Sequence, residues 1–192
     1  VGDRGNPLSL GSSLSAMLWG RDEGFYYRGT GVELGWLRDR GTGGQLDLKL
    51  FGERQATAWV RTRRALVGST GTPWNVESQE GWYGGSALRW SGSQGLDPLG
   101  FRLLRDVRLE GGARPGSSGT GYGRAAADLT LSHGIGWLLG RQGVMAVTAA
   151  GGTSVGHLPT QRWWYTGGLQ TVRGQPPGRA RGDAYWLGRA EL

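Results

Sequence analysis

Two histidines and no cysteine limit the chemistry that this 192-residue chain could perform. Without cysteine there is no thiolate nucleophile, no disulfide framework and no thiolate zinc site. His133 and His157 have no supporting cluster of ligands, so they read as a strand-end and a loop histidine rather than as a metal site. Ser132 beside His133 invites a hydrolytic dyad, but successive strand residues point to opposite faces. Gly119-Thr120-Gly121-Tyr122-Gly123 lacks the buried strand before it and the helix after it that a nucleotide-binding turn requires. No Gly-x-Ser-x-Gly elbow, phosphate loop or His-Glu-x-x-His is present. The expectation is a protein that is not an enzyme and uses no cofactor or metal.

Charge is the other chemical resource. The formal net charge is +7, and Lys49 is the only lysine among the basic residues. Such a balance is the usual footprint of phosphate binding. Nucleic-acid proteins cluster their basic residues, however, whereas here runs occur only at 61–64 and 179–181 and other arginines sit singly near Asp or Glu. The spread fits a polar interior better than a nucleic-acid surface. The charged candidates are Glu33, Asp47, Lys49, Arg89, Asp106, Arg108, Glu110, Arg124, Asp128, Arg189 and Glu191.

The elements that hold these residues are strands. Thirty-nine glycines disfavour helices, since each costs roughly 1 kcal/mol in a helix interior. Ten Trp, six Tyr and three Phe argue against a disordered linker. Leu, Ile, Val and Phe together make up only about a fifth of the chain, which is thin for a water-soluble core. Period-two alternation is plain in Val32-Glu33-Leu34-Gly35-Trp36 and in Leu46-Asp47-Leu48-Lys49-Leu50. It returns at Trp82 to Trp90, at Phe101 to Glu110 with Arg105 breaking the pattern, at Arg124 to Ser132, and at Tyr185 to Leu192. One face is apolar and the other ionic and rich in Gly and Ala, the pattern of a membrane barrel with its apolar face to lipid. Trp19, Trp36, Trp90, Trp137 and Trp186 lie near strand ends, where such a barrel carries aromatic girdles.

Candidate strands are 8–19, 25–37, 45–60, 81–91, 99–110, 122–134, 143–156 and 183–192. The first gap between them is of medium length. The later ones alternate: short at 38–44, long at 61–80, short at 92–98, longer at 111–121, short at 135–142 and longest at 157–182. Outer-membrane barrels alternate short periplasmic turns with longer outside loops, so this parity predicts an antiparallel transmembrane meander and makes 157–182 an exterior loop.

Pro159, Trp163-Trp164-Tyr165-Thr166-Gly167-Gly168, Thr171-Val172-Arg173-Gly174, Gly182-Asp183 and the closing Ala190-Glu191-Leu192 together resemble the signature of the BamA/TamA (bacterial surface antigen) family. These are barrels that insert or translocate proteins at outer membranes. The resemblance implies that the long loop folds back into the lumen. In it Arg173 is the anchoring arginine, Val172 and Gly174 are its flanks, and Gly167 and Gly168 form the turn into the loop. A guanidinium, with five donors in a rigid fork, suits that task. Where the family usually has an aromatic after Arg-Gly, this chain has Gln175-Pro176-Pro177. The family barrel has sixteen strands, so the eight read here would be a piece incomplete at both ends, in keeping with a start at Val1 that has no charged-then-apolar leader. The implied partners are outer-membrane lipid, client outer-membrane or secreted polypeptides and accessory assembly proteins, and the implied location is the bacterial outer membrane. A passive channel and a soluble Trp-rich carbohydrate-binding protein are the alternatives.

Overall fold

The computed structural model describes residues 26–58, 77–95, 100–116, 118–138, 141–168, 171–172, 175 and 178–192. Described residues form nine strands and two short 3-10 turns, with no α-helix. The strands are β1 (Tyr27–Asp39), β2 (Gln45–Thr57), β3 (Gly81–Gln94), β4 (Phe101–Ala113), β5 (Tyr122–Leu138), β6 (Arg141–Gly156), β7 (Trp164–Thr166), β8 (Ala180–Gly182) and β9 (Ala184–Glu191). Seven of them make one antiparallel meander in the order β1-β2-β3-β4-β5-β6-β9, and β7 pairs with β8. The sheet is open, with β1 and β9 as its edges, so it is not by itself a closed barrel. The expected first strand, 8–19, lies outside the described residues.

Strand ends differ from expectation where glycines had read as turns. β4 continues through Gly111 and Gly112 to Ala113, because the ladder to β3 carries on through Gly84↔Ala113. Gly112 is required there: a β-carbon on it would stand 2.8 Å from the Tyr122 hydroxyl, so the ring lies directly over the glycine. β5 reaches Leu138 across a register shift between Gly134 and Trp137, and only residues 139–140 separate it from β6. The expected short connection at 135–142 is thus mostly strand. The pair β7–β8, inside the region read as loop, was not expected.

The chain divides into two compact units. One comprises Gly31–Gly52, Tyr83–Leu158 and Asp183–Leu192, and holds most of the sheet. Its register is continuous from β3 to β9, one row running Trp90, Val107, Ala127, Gly151, Trp186. That row starts four residues from the short-turn end of β3 and meets β9 two residues from its long-loop end. The strands are therefore staggered, as tilted strands must be. The other unit comprises Val1–Thr30, Glu53–Trp82 and Pro159–Gly182, whose described part includes the β7–β8 pair.

The two faces of the sheet have exchanged the usual roles of core and surface. Tyr83, Tyr122, Arg124, Ala126, Thr148 and Ala150 are buried, and alternation and register put all of them on the face that carries the charges. On the opposite face Val32, Leu34, Trp36, Leu48, Leu50, Leu109, Leu129, Leu131, Val147, Val155 and Trp186 are exposed, Leu34 at 67% and Trp186 at 87%. In a water-soluble antiparallel sheet the apolar face is the covered one.

Candidate functional site: a charged sheet face and a tethered loop

Alternation places Glu33, Asp47, Lys49, Arg89, Asp106, Arg108, Glu110, Arg124, Asp128, Arg189 and Glu191 on one face. Register sets like opposite like in the centre: Arg89 faces Arg108, and Asp106 faces Asp128. Directly opposed like charges destabilise a sheet. The ion pairs run along diagonals and strands instead. Arg89 Nε is 2.6 Å from Asp106 Oδ2, Arg108 Nε is 3.0 Å from Asp106 Oδ1, and Arg108 Nη2 is 2.5 Å from Asp128 Oδ2. One zigzag of alternating charge thus ties β3, β4 and β5 together.

Nearer the long-loop ends, Glu110 accepts from Arg124 Nη1 at 3.0 Å and from the Tyr122 hydroxyl at 2.8 Å. Arg124 is buried, so its carboxylate partner offsets a desolvation cost that an unpaired guanidinium would carry in full. Lys49 donates to Glu33 at 2.9 Å, Thr130 and Thr148 share a hydrogen bond of 2.8 Å, and Arg189 lies 3.4 Å from Glu191 on the same strand. Toward the short-turn ends the face opens into a hollow of about 550 Å³ lined by Asp39, Gln45, Ser93, Asp106, Asp128 and Thr130 among others. Fixed charges of both signs can exchange hydrogen bonds with a polar chain or with hydrated ions.

Arg105, the residue that breaks the alternation, stands on the apolar face with its guanidinium 4.9 Å from the centre of the Trp90 ring. Trp90 Nε1 donates to the Gly43 carbonyl in the short β1–β2 turn at 3.0 Å, which places this pair at the short-turn end. His133 stacks on Phe101 at 4.1 Å, on the face opposite Ser132, so the two form no dyad. Among the described residues no three His, Asp or Glu come together as metal ligands.

In the second unit, the segment after Pro159 is held by a cluster that the sequence reading missed. Gln55 is fully buried; its Nε2 donates to Glu53 Oε1 at 2.8 Å, and its Oε1 accepts from Gln161 Nε2 at 2.6 Å. Gln161 also clasps the backbone of Gln79, accepting from its N–H at 2.9 Å and donating to its carbonyl at 3.2 Å. Arg162 lies 3.5 Å from Glu53 and 5.4 Å from the centre of the Tyr27 ring. Glu53 and Gln55 continue the polar face of β2 two and three steps of alternation beyond Lys49. That continuation was the one available signal.

The resemblance motif is described in part. Gly167 and Gly168 both have positive φ, 114° and 82°, conformations that favour glycine. Gly167 N–H donates to Thr171 Oγ1 at 2.7 Å, Gly168 N–H donates to the Gln175 carbonyl at 2.8 Å, and Gln175 N–H to that of Val172 at 3.3 Å. These bonds tie Gly167 and Gly168 to Thr171 and Gln175. Val172 is exposed, and Arg173 and Gly174 lie outside the described residues. Tyr165, whose hydroxyl donates to the Thr160 carbonyl at 2.9 Å, has its phenol pushed above 10.0 by burial, against the opposing charge of Arg181. No family model, curated protein or solved structure matches the chain.

Proposed function

We propose that the chain is part of a transmembrane β-barrel of a bacterial outer membrane, of the BamA/TamA kind, which assists insertion or translocation of client polypeptides without a cofactor. The observation that carries this reading is the inverted burial of the sheet, with Leu, Val and Trp side chains exposed on one face while Tyr83, Tyr122, Arg124, Ala126, Thr148 and Ala150 are buried on the face that carries the charges. A bilayer reverses the sense of burial in this way, because the apolar face meets lipid and the polar face lines the interior. The connections support it: 40–44, 95–100 and 139–140 are shorter than 58–80, 114–121 and 157–183, in strict alternation.

The length of β1 supports it as well. Arg28 and Arg38 share the face of Val32, Leu34 and Trp36 and bracket them ten residues apart, about 33 Å along the strand at about 3.3 Å per residue. A tilt of about 40° converts that to about 25 Å along the membrane normal, the height of the apolar band of such barrels. In this reading the edges at β1 and β9 are completed by further strands, since no open edge survives in hydrocarbon. An incoming client adds to a weakly paired seam by edge pairing.

The test is tryptophan quenching of the full-length protein in bilayers whose lipids carry bromine at defined depths. Strong quenching at the interfaces is expected, and its absence in a folded β protein overturns the membrane reading. For the assembly role, Arg173→Ala should fail to rescue cells depleted of the protein while still reaching the membrane; full rescue refutes the role of the loop arginine. The polar hollow favours a passive channel as a second reading, for which the test is ion conductance across a planar bilayer.

A further inference from the structure

We propose that Arg28 and Arg54 together bind the phosphate of an anionic lipid headgroup at the long-loop edge of the apolar sheet face. The inference rests on the membrane reading and extends it to one class of lipid. β1 and β2 are antiparallel neighbours joined by a tight turn, in which Arg40 N–H donates to the Gly44 carbonyl at 2.8 Å. A β-carbon on Gly29 would lie 2.5 Å from Glu53 Oε2, so residues 29 and 53 share the polar face. Their chain neighbours Arg28 and Arg54 therefore share the other face. The pairing of Arg40 with Gly44, carried along both strands, sets Arg28 opposite Ala56 and Arg54 opposite Thr30, which makes the two arginines diagonal neighbours within reach of one anion.

Both are exposed. Among the described residues neither guanidinium has a carboxylate partner or a hydrogen bond. Several arginines elsewhere on this sheet are matched, Arg89 and Arg108 to Asp106, Arg124 to Glu110, and Arg105 by an aromatic ring. Two adjacent cations without a counterion repel each other, and an anion placed between them removes that cost. The rigid donor fork of arginine fits a phosphate with two bonds at once. Between the pair and the centre of the strands lie only Thr30 and Gly52 on this face, then Val32, Leu34, Leu48 and Leu50. Such an order suits a lipid, whose headgroup meets the arginines while its chains lie along the apolar stripe.

The full-length protein in nonionic detergent is titrated with phosphatidylglycerol or phosphatidylcholine, and bound lipids are counted by native mass spectrometry. With about five-fold per arginine at an anionic surface as the guide, the first phosphatidylglycerol should bind about twenty-five-fold more tightly than phosphatidylcholine. The preference should vanish in R28Q/R54Q and persist in R28K/R54K and in R38Q. Equal binding of the two lipids by the unaltered protein, or an undiminished preference in R28Q/R54Q, overturns the site. Flotation with phosphatidylcholine vesicles separates the two levels of the argument. A protein that floats but has no preference loses only this site, and one that does not float loses the membrane reading with it.

Discussion

Leu34→Arg distinguishes lipid from water more sharply than any other single substitution. Leu34 is 67% exposed, so its replacement opens no cavity and removes no packing. On a face that met water the change would stay within about 0.5 kcal/mol, like other surface substitutions. If β1 spans a bilayer, the same side chain stands four residues from Arg38, about 13 Å along the strand, and six from Arg28, about 20 Å. At a tilt of about 40° these become depths of about 10 and 15 Å, close to the midplane, where an arginine on the lipid face costs about 2–4 kcal/mol. The control is Lys49→Ser on the polar face. It removes an ion pair of 2.9 Å whose side chains are 43% and 58% exposed, and a pair as open as this contributes at most about 1 kcal/mol. Both variants of the full-length protein are unfolded by guanidinium from lipid vesicles, with tryptophan emission as the signal. A loss below about 0.5 kcal/mol for Leu34→Arg, or equal losses for the two variants, refutes the assignment of faces.

The zigzag of charge predicts that Arg108→Met, which strips both Asp106 and Asp128 of a partner, costs about 1.5–3 kcal/mol in the same unfolding assay, and that adding Asp128→Asn costs less than the sum of the two; additive losses refute the network. Arg162→Ala should speed amide exchange at Trp163 to Thr166 at least about tenfold by releasing the segment that Glu53 and Tyr27 hold, and unchanged exchange refutes the tether. Because burial raises the Tyr165 phenol above 10.0, its contribution to stability is complete below pH 10 and is lost as pH rises from there through the folded-state value. An ultraviolet phenolate titration should therefore show a late-ionising tyrosine that disappears in Tyr165→Phe, and its persistence in that variant refutes the assignment.

Side-chain alternation made six of the seven sheet strands legible, because a period of two survives any tertiary detail. Their ends were less legible. Gly111-Gly112 reads as a turn in sequence, yet it stays in the ladder because the Tyr122 ring covers Gly112, a contact made across strands. Three-residue strands such as β7 and β8 are too short to display a period. The zigzag was legible as a set of residues on one face but not as a pattern of partners. Alternation says which face a charge occupies, whereas register decides that Arg89 meets Asp106 on the diagonal rather than Arg108 opposite. The tether of Gln161 to Gln55 joins residues 106 positions apart, and no local pattern announces such a pair.

The exposed apolar face is what any account of this chain must accommodate. A contiguous surface of Leu, Val and Trp beyond a few hundred Å² marks an interface in a water-soluble protein. If a protein partner were that interface, it would have to cover a face extending from Leu34 on β1 to Trp186 on β9, and arginines at the strand ends would have no particular reason to bracket the patch. A bilayer explains both the extent and the boundary. Its apolar layer covers whatever width of sheet is present, and its two polar surfaces stop the apolar residues at a fixed height. In the proposed membrane reading Arg28 and Arg38 stand at those limits on β1. The bracketing is thus independent of the face's apolar character, and both observations point to lipid.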